Sequence, residues 1–387
     1  MKILCAPDSF KGSLSAFECC EILEKVIRRI FPDTQIVFAP VADGGEGTVD
    51  ALLRAADGHR ITTPVTGPMF ERETAEWGLL KDGKTAVMEM AQASGLPYVP
   101  VDGKNPLRAT SLGTGEMIAA AVKLGVRNIL IGIGGSATND GGMGMLTALG
   151  ARFTDKNGRH VPPVGGEMKN VEKADFTNLL PALKETKITV ICDVTNPLLG
   201  ENGATFVYGP QKGVTLEMRE DLEAGMAHYA SIVSKAVGRN ISDFPGAGAA
   251  GGLGAALGGV LNANLKSGID AVLYAVNFEQ KMEGVSLVIT GEGRLDGQSI
   301  QYGKAPVGIA RRCAEKNIPV VAIVGGIGDG AEKLFKVCES TIQTTVSGPM
   351  GLKQAMSEAP ALYEAAAERL LRTIRIGMSI SERQRSR

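Results

Sequence analysis

Five polar, glycine-rich loops occur in this 387-residue chain, and each follows an apolar run with the composition of a β-strand. The clearest example is residues 129–145 (ILIGIGGSATNDGGMGM). The other four loops are DSFKGS (8–13), DGGEGT (43–48), DVTNPLLGENG (193–203) and EGRLDGQS (292–299). In open α/β sheets, ligands bind outside the carboxyl ends of the strands, so this pattern predicts a ligand site built from strand-end loops.

Within residues 129–145, the strand-like run ends in glycines and is followed by Ser136, Thr138, Asn139 and Asp140. Glycine lets backbone N–H groups approach an anion closely, and these side chains add directed hydrogen bonds. A tight turn packed against a neighbouring sheet is the alternative for one such segment. Because polar, glycine-rich loops follow strands at five places along the chain, ligand binding is favoured over a tight turn.

The charge, the cysteines and the histidines exclude several classes of function. A net charge of −1 without a long basic segment gives no attraction to nucleic acid or to an anionic membrane surface. No apolar run approaches the roughly 20 residues of a membrane span, and the N-terminus begins a short strand, so we expect a cytoplasmic protein. The six cysteines lack CxxC spacing and are expected to be buried thiols. Three histidines leave little material for a zinc cluster or a histidine-based triad.

The rhythm of strands and helices predicts two domains. Strand–helix units fill residues 1–58, short strands with Gly and Asp-Gly turns begin at residue 59, and strand–helix units return at residue 285. Five such units predict an α/β fold with a flavodoxin-like, five-stranded, doubly wound parallel sheet made from residues 1–58 and 285–387. A second α/β domain, residues 59–284, is inserted after the second unit. The polar tail from Ser379 is expected to fray.

A strand order of 2-1-3-4-5 in that sheet would bring two of the loops together. The loop bearing Asp8 and Lys11 would then share a crevice with the loop bearing Glu292, Arg294 and Asp296.

Two nucleotide-binding motifs match by letter but not by context. Residues 78–85 (GLLKDGKT) satisfy the P-loop pattern, yet Asp82-Gly83 is a typical hairpin turn and strand-like residues follow it. Residues 246–251 (GAGAAG) satisfy GxGxxG and residues 132–137 satisfy its GxGxxA variant, but neither opens the first βαβ unit. We therefore reject a P-loop and a dinucleotide fingerprint, although either glycine segment could still hold phosphates.

The loops carry more carboxylates than one site without metal would accept, because like charges in one cleft repel. The loops also carry Lys11 and Arg294, and Lys212 and Lys304 follow two of the loops along the chain. Mg²⁺ bound through one or two carboxylates and the substrate's own phosphates relieves the repulsion, so phosphoryl transfer from Mg-ATP fits the pattern. For any single acid, a helix N-cap or turn role is the alternative. The acids are Asp8, Asp43, Glu46, Asp140, Asp193, Glu292 and Asp296.

Several long motifs, in order along the chain, resemble those of the bacterial type I glycerate kinase family. They are APDSFKGS (6–13), PVADGGEGT (40–48), GIGGSATNDGGMG (132–144), CDVTNPLLGENGA (192–204), YGPQKG (208–213), GAGAAGGLG (246–254) and TGEGRLDGQS (290–299). The resemblance implies ATP-dependent phosphorylation of D-glycerate with Mg²⁺, by a transferase with an alcohol acceptor. It also implies a flavodoxin-like domain with a second α/β domain inserted.

The resemblance leaves the residue roles to hypothesis. Asp193 and Asp296 are the leading candidates for the general base or for metal binding, with Glu292 as a further metal ligand. Lys11 and Arg294 would hold the carboxylate of glycerate or the transferring phosphoryl group. Further substrate contacts are assigned to Asp8, Ser9, Asp43 and Glu46. The nucleotide phosphates are assigned to the cradle formed by Gly134, Gly135, Ser136, Thr138, Asn139, Asp140 and Gly141.

The expected reaction converts D-glycerate and ATP to phosphoglycerate and ADP in a cleft between the two domains. The 2-phosphate is favoured and the 3-phosphate stays open. We expect neither nucleic acid nor membrane as a partner, and a homodimer is compatible with the sequence. An NAD(P)-dependent oxidoreductase, a non-catalytic acid-binding protein and a metal-dependent phosphatase rank below the kinase.

Overall fold

The computed structural model describes residues 1–10, 12–41, 49, 52–53 and 58–385. The chain divides into two compact units. The first unit comprises Met1–Ala55 with Gly268–Arg387, and the second is Ala56–Ser267. Residues 268–284, which the sequence assigned to the second domain, belong to the first unit. Ile269 packs against Gly308, and the carboxylate of Asp270 lies 3.0 Å from the guanidinium of Arg312.

Thirteen strands are present in the described residues. They are β1 (Lys2–Pro7), β2 (Gln35–Phe38), β3 (His59–Thr66), β4 (Arg72–Leu79), β5 (Thr85–Glu89), β6 (Asn128–Gly132), β7 (Arg152–Thr154), β8 (Lys173–Asp175), β9 (Lys187–Ile191), β10 (Asn264–Lys266), β11 (Leu287–Leu295), β12 (Val320–Ile327) and β13 (Ser340–Thr344).

The α-helices are Ala16–Ile30, Ala91–Ser94, Leu112–Lys123, Met143–Ala148, Ala204–Tyr208, Leu216–Val237, Ala249–Ala255, Gly268–Ala275, Phe278–Lys281, Gly297–Tyr302, Ala305–Glu315, Leu352–Ser357 and Ala359–Arg385. Short 3₁₀ turns are Leu96–Tyr98, Val101–Gly103, Gly165–Asn170, Pro181–Glu185, Pro210–Lys212 and Ala331–Lys336, and Ala256–Val260 is a π-helical turn. The sequence also predicts a helix at residues 47–56, and most of that segment lies outside the described residues. No helix in the described ranges has the length and apolarity that crossing a membrane requires.

The first unit contains a parallel five-stranded sheet with the order β2-β1-β11-β12-β13. Alternate residues of β12 enter different cores: Val321 and Ile323 pack with helices Ala16–Ile30 and Ala359–Arg385, and Ala322 and Val324 pack with helix Ala305–Glu315. Because successive strand residues point to opposite faces, helices cover both faces of this sheet.

Helix Ala16–Ile30 begins with a capping box. The Glu18 backbone N–H donates to Ser15 Oγ at 3.2 Å, and the Ser15 backbone N–H donates to the Glu18 carboxylate at 2.8 Å. At the other end of the chain, helix Ala359–Arg385 continues through most of the tail that was expected to fray. The reason is local, because residues 378–385 contain neither glycine nor proline to end the helix.

The second unit contains a mixed six-stranded sheet with the order β10-β9-β6-β5-β4-β3. Strands β10, β9, β6 and β5 are parallel, whereas β5, β4 and β3 form the antiparallel meander that the sequence predicts. Its core includes the fully buried side chains of Trp77, Met88, Ile131, Val190 and Tyr229. The mixed α/β fold with a parallel sheet is thus confirmed.

Candidate active site

A cavity of about 660 Å³ opens in the first unit beside the carboxyl ends of β1, β11 and β12. The backbone N–H of Asp8, just past β1, donates to the carbonyl oxygen of Gly291 in β11 at 2.8 Å, which joins the two loops that the sequence expected to share a crevice. The lining residues are Asp8, Ser9, Phe10, Ser13, Glu292, Gly293, Arg294, Lys304, Gly325, Gly326, Ile327, Thr345, Val346, Met350, Leu352, Ala355, Met356 and Ala359.

Glu292 is a strongly perturbed acid in the cavity wall. Its side chain is buried, and its Oε1 atom has no hydrogen-bond partner. Burial raises the pKa of Glu292 to about 7, against the opposing effects of the Ser299 hydroxyl and the Lys304 ammonium group. The carboxylate of Asp8 acts in the same direction as burial. A carboxyl group in this state accepts a proton or a cation readily near neutral pH.

Asp8 and Ser9 lie together on the cavity wall. The backbone N–H of Ser9 donates to Asp8 Oδ1 at 2.6 Å, and Asp8 is buried. Three other predicted residues from the same half of the chain, Lys11, Asp43 and Glu46, lie outside the described residues.

Asp296 acts as an N-cap in the described structure. Its Oδ1 atom accepts hydrogen bonds from the backbone N–H groups of Gln298 and Ser299, at 3.0 and 3.1 Å, at the start of helix Gly297–Tyr302. The bond from Ser299 is the main cause of a lowered Asp296 pKa. Arg294 Nε lies 3.4 Å from Asp296 Oδ2, and the Arg294 side chain is 73% exposed, so it is free to reach a ligand anion.

Asp193 belongs to the second unit, where it is exposed just beyond β9. The predicted metal ligands Glu292 and Asp296 belong to the first unit. Among the residues that the structure describes, no group of three or more His, Cys, Asp or Glu side chains could hold a metal ion. A metal ion held by these described residues would therefore need ligands from its substrate or from solvent as well.

The residues of the predicted phosphate cradle differ in their exposure to solvent. Gly134 and Gly135 are exposed beyond β6, whereas Ser136, Thr138, Asn139, Asp140 and Gly141 are buried. Only the two exposed glycines present their backbone to solvent. The segment pairs with residues 94–96, since the N–H of Leu96 donates to the Gly135 carbonyl and that of Ala137 donates to the Ser94 carbonyl.

The buried carboxylate of Asp140 holds this loop in place by accepting hydrogen bonds. Its Oδ2 accepts from the backbone N–H of Ser111 at 2.8 Å, from the Ser111 hydroxyl at 2.7 Å and from the Gly144 N–H at 3.2 Å, while Oδ1 accepts from the Gly142 N–H at 3.1 Å. Burial raises the pKa of Asp140, and these hydrogen bonds oppose the shift. The carboxylate thus ties the loop to the start of helix Leu112–Lys123.

Lys212 is buried, although the sequence analysis counted it among the cations that balance the carboxylates of the site. Its ammonium group donates to the carbonyl oxygen of Thr138 at 2.7 Å. Burial lowers the pKa of Lys212 to about 7, and the Asp140 carboxylate opposes that shift. The side-chain oxygens of Thr138 and of the next residue, Thr138 Oγ1 and Asn139 Oδ1, are both buried without a hydrogen-bond partner. The signal available in the sequence was a lysine placed between turn residues in the motif YGPQKG.

The second glycine segment, GAGAAG, packs against the cradle. The Gly141 N–H donates to the Gly251 carbonyl at 3.0 Å, and a Cβ at Gly251, where φ is +67°, would collide with the Thr138 carbonyl oxygen. These glycines permit close backbone packing. The rejected P-loop match is a hairpin, as expected: β4 and β5 are antiparallel, and Asp82 Oδ1 accepts from the N–H groups of Lys84 and Thr85.

A family model described as the glycerate kinase family matches residues 3–375 of the chain. The chain belongs to the glycerate kinase family. It is similar to glycerate 2-kinase of Escherichia coli (strain K12), with 50% identity over 348 residues that cover 88% of this chain and 91% of the relative. Identity to the glycerate kinase of Bacillus subtilis (strain 168) is 45% over 380 residues, which cover 98% and 99% of the two chains.

A crystal structure from Salmonella typhimurium LT2 named for glycerate kinase 2 has the same overall fold. It matches with a TM-score of 0.88 at 41% identity, covering 98% of this chain and 99% of that one. These similarities confirm the predicted enzyme class, a phosphotransferase of the glycerate kinase family. They also support the mixed α/β architecture described above.

Proposed function

We propose that the chain transfers the γ-phosphoryl group of ATP to D-glycerate in a Mg²⁺-dependent reaction, forming 2-phosphoglycerate and ADP. The observation that carries the proposal is the charged end of the first unit's cavity, where Asp8, Glu292, Arg294 and Lys304 line one wall. Phosphoryl transfer depends mainly on positioning and on stabilising charge, and this wall supplies both cationic and anionic groups. The name of the Escherichia coli relative, glycerate 2-kinase, supports the 2-phosphate as the product.

Within this proposal, the two cations of the wall bind anions. The guanidinium of Arg294, whose side chain is 73% exposed, is accessible for a bidentate contact with the carboxylate of glycerate or with a phosphoryl group. Lys304 stands at the N-cap position of helix Ala305–Glu315, where the helix dipole adds to its positive charge. Lys11 stays a prediction for the same role.

The acids of the wall suit a magnesium ion. Mg²⁺ commonly takes one or two carboxylates and completes its coordination with phosphate oxygens and water. The buried Oε1 atom of Glu292, without a hydrogen-bond partner, fits this donor set, and Asp8 acts electrostatically on the same carboxyl group. Glu292 and Asp8 are therefore the residues that would hold the ion. When bound, Mg²⁺ supplies positive charge that offsets the charge of the phosphates.

Several finer parts of the sequence hypothesis stay predictions. These are a catalytic role for Asp193 or Asp296, phosphate binding by the exposed Gly134 and Gly135, and a site in the cleft between two domains. We also propose that the chain belongs to the type I class and that the first unit is a flavodoxin-like domain with the second inserted into it. The strand order β2-β1-β11-β12-β13 supports this arrangement.

A cytoplasmic location is proposed on chemical grounds. All six cysteines are free thiols, and burial raises the pKa of Cys5, Cys19, Cys20 and Cys313 above the usual range for a thiol. Free thiols of this kind are typical of a reducing compartment.

The proposal is tested by measuring ADP formation from Mg-ATP with D-glycerate, with L-glycerate and without an acceptor. The product is identified by ³¹P NMR. We expect ADP formation with D-glycerate only, and a phosphorus signal coupled to the proton on carbon 2. A 3-phosphate product would correct the regiochemistry. ADP formation that is independent of any acceptor would overturn the assignment of the substrate.

A further inference from the structure

The cavity of the first unit is larger than the proposed acceptor requires. Its volume is about 660 Å³, in the middle of the roughly 300–1,000 Å³ range of pockets that hold drug-sized ligands and cofactors. A three-carbon acid fills only a small part of such a space. The remaining volume calls for a second, larger ligand.

The lining of the cavity is divided chemically. The charged residues come from the loops after β1 and β11 and from Lys304. The large side chains among the remaining lining residues are apolar: Phe10, Ile327, Val346, Met350, Leu352 and Met356. Two of the six are methionines, whose flexible thioethers adapt to flat ligands and contact aromatic rings favourably. A nucleotide has the same division, with a polyanionic end and a flat, weakly polar base.

The apolar wall contains one buried, firmly packed side chain and two exposed ones. Phe10 is 5% exposed and is held edge-to-face by Tyr363, with ring centroids 5.4 Å apart. Ile327 and Leu352, in contrast, are 53% and 77% exposed although they line the cavity. Exposed apolar side chains that line a cavity favour the binding of a ligand that removes them from water.

The position of the cavity in the sheet agrees with this division. The chain order reverses between β1 and β11, and Asp8 and Glu292 lie at that point. Ligands of open α/β sheets bind at such a switch point, outside the carboxyl ends of the strands. Ile327 ends β12, and Thr345 and Val346 follow β13, so this part of the apolar wall lies on the same side of the switch point as the later strands. Phe10 contributes to the wall from the loop after β1.

We propose that the apolar half of this cavity, formed by Phe10, Ile327, Val346, Met350, Leu352 and Met356, binds the adenine and ribose of the nucleotide. The inference rests on the proposed function, because it assigns the adenosine moiety of the phosphoryl donor to the first unit. The polyphosphate then extends toward the charged wall. The glycerate acceptor makes no contact with the apolar wall.

The test uses the full-length double variant Ile327→Ser/Leu352→Ser. Both side chains are exposed, so their truncation leaves the core intact. The matched control is Ile376→Ser/Ile380→Ser, which removes two apolar side chains that are 61% and 54% exposed in the same unit and that do not line the cavity. Binding of ATP is measured by titration calorimetry, and KM is measured for ATP and for D-glycerate.

We expect the cavity variant to lose about tenfold in ATP affinity and to raise the KM for ATP by the same factor, because two apolar contacts are lost. The KM for D-glycerate should stay within twofold of the wild-type value, and the control should be unchanged in both. Unchanged ATP binding in the cavity variant, or a selective rise in the KM for D-glycerate, would overturn the inference.

Failure of the proposed function would look different. Calorimetry detects ATP binding without any acceptor, so the cavity variant still reports on the adenosine site if D-glycerate turns out not to be the substrate. Loss of ATP affinity together with no D-glycerate-dependent ADP formation would keep the inference and reject the substrate.

Discussion

The ammonium nitrogen of Lys212 lies 2.7 Å from the carbonyl oxygen of Thr138, and the lysine is only 2% exposed. A lysine in this position is desolvated, and one backbone carbonyl replaces only part of its hydration. The consequence is a pKa of about 7, far below the usual value of 10.5. The folded second unit therefore holds a lysine that loses its proton near neutral pH.

This pKa predicts how stability depends on pH. Between about pH 7 and 10.5 the unfolded chain keeps the Lys212 proton and the folded chain releases it, so the free energy of unfolding rises with pH. For this single proton, the free energy of unfolding rises by at most about 1.4 kcal/mol per pH unit, and the rise is absent below about pH 7. In Lys212→Met this contribution is absent.

The measurement is urea unfolding of both proteins at several values between pH 6.5 and pH 9.5. We expect the wild type to gain stability relative to Lys212→Met as the pH rises. A difference that is constant over this range would mean that Lys212 keeps its proton in the folded state.

A second prediction concerns Asp140, whose carboxylate accepts four hydrogen bonds from three residues. In asparagine, an NH₂ group replaces one of the two carboxylate oxygens, so it faces N–H or O–H donors and cannot accept their hydrogen bonds. Asp140→Asn should therefore lower the free energy of unfolding by about 3 kcal/mol. Asp102→Asn, at an exposed position, is the control and should change stability by less than about 0.5 kcal/mol. Equal stability of the two variants would show that the carboxylate does not fasten the loop.

The sheet of the first unit was predictable because its strands are buried on both faces and therefore form continuous apolar runs. In β1, for example, Ile3, Leu4, Cys5 and Ala6 are all fully buried. The segment Gly268–Lys281 was assigned to the wrong unit because helical periodicity does not specify which sheet a helix packs against. Tertiary contacts decide it, among them the packing of Ile269 against Gly308 and the ion pair of Asp270 with Arg312.

The candidate site was predictable where it depends on strand ends, and not where it depends on burial. Asp8 and Glu292 could be placed together from the strand order alone. Sequence could not distinguish the exposed Gly134 from the buried Asp140 six residues later, because both lie in the same polar, glycine-rich loop. Nor could it show that Lys212 reaches the Thr138 carbonyl, 74 residues earlier in the chain.

A third prediction separates the structural role of Asp296 from a chemical one. Asparagine is as good an N-cap as aspartate, so Asp296→Asn should keep the hydrogen bonds to the N–H groups of Gln298 and Ser299 and change stability by less than about 0.5 kcal/mol. If the carboxylate takes part in the chemistry, as we predict, kcat falls at least about a hundredfold.

Asp296→Ala is the matched control for the cap. It should lose about 1 kcal/mol of stability in addition to its activity. A value of kcat near that of the wild type in Asp296→Asn would remove Asp296 from the mechanism and leave it as a helix cap alone.

The fourth prediction uses Glu292 to detect the proposed magnesium site without relying on turnover. In metal-free buffer the folded protein holds the Glu292 proton up to about pH 7, whereas the unfolded chain releases it near pH 4.5. The stabilising contribution of this proton is complete below pH 4.5 and is lost as the pH rises to 7. The wild type should therefore lose stability relative to Glu292→Gln over this window.

Added Mg²⁺ should reverse the loss, because an ion that binds only the folded state stabilises it. At pH 7.5 we expect MgCl₂ to raise the Tm of the wild type by several degrees more than that of Glu292→Gln, as measured by differential scanning calorimetry. CaCl₂ serves as a comparison ion, since Mg²⁺ demands a smaller, octahedral site. Equal shifts for both proteins would place the ion elsewhere, and the orphaned oxygen of Glu292 would then require a proton or a water molecule as its partner.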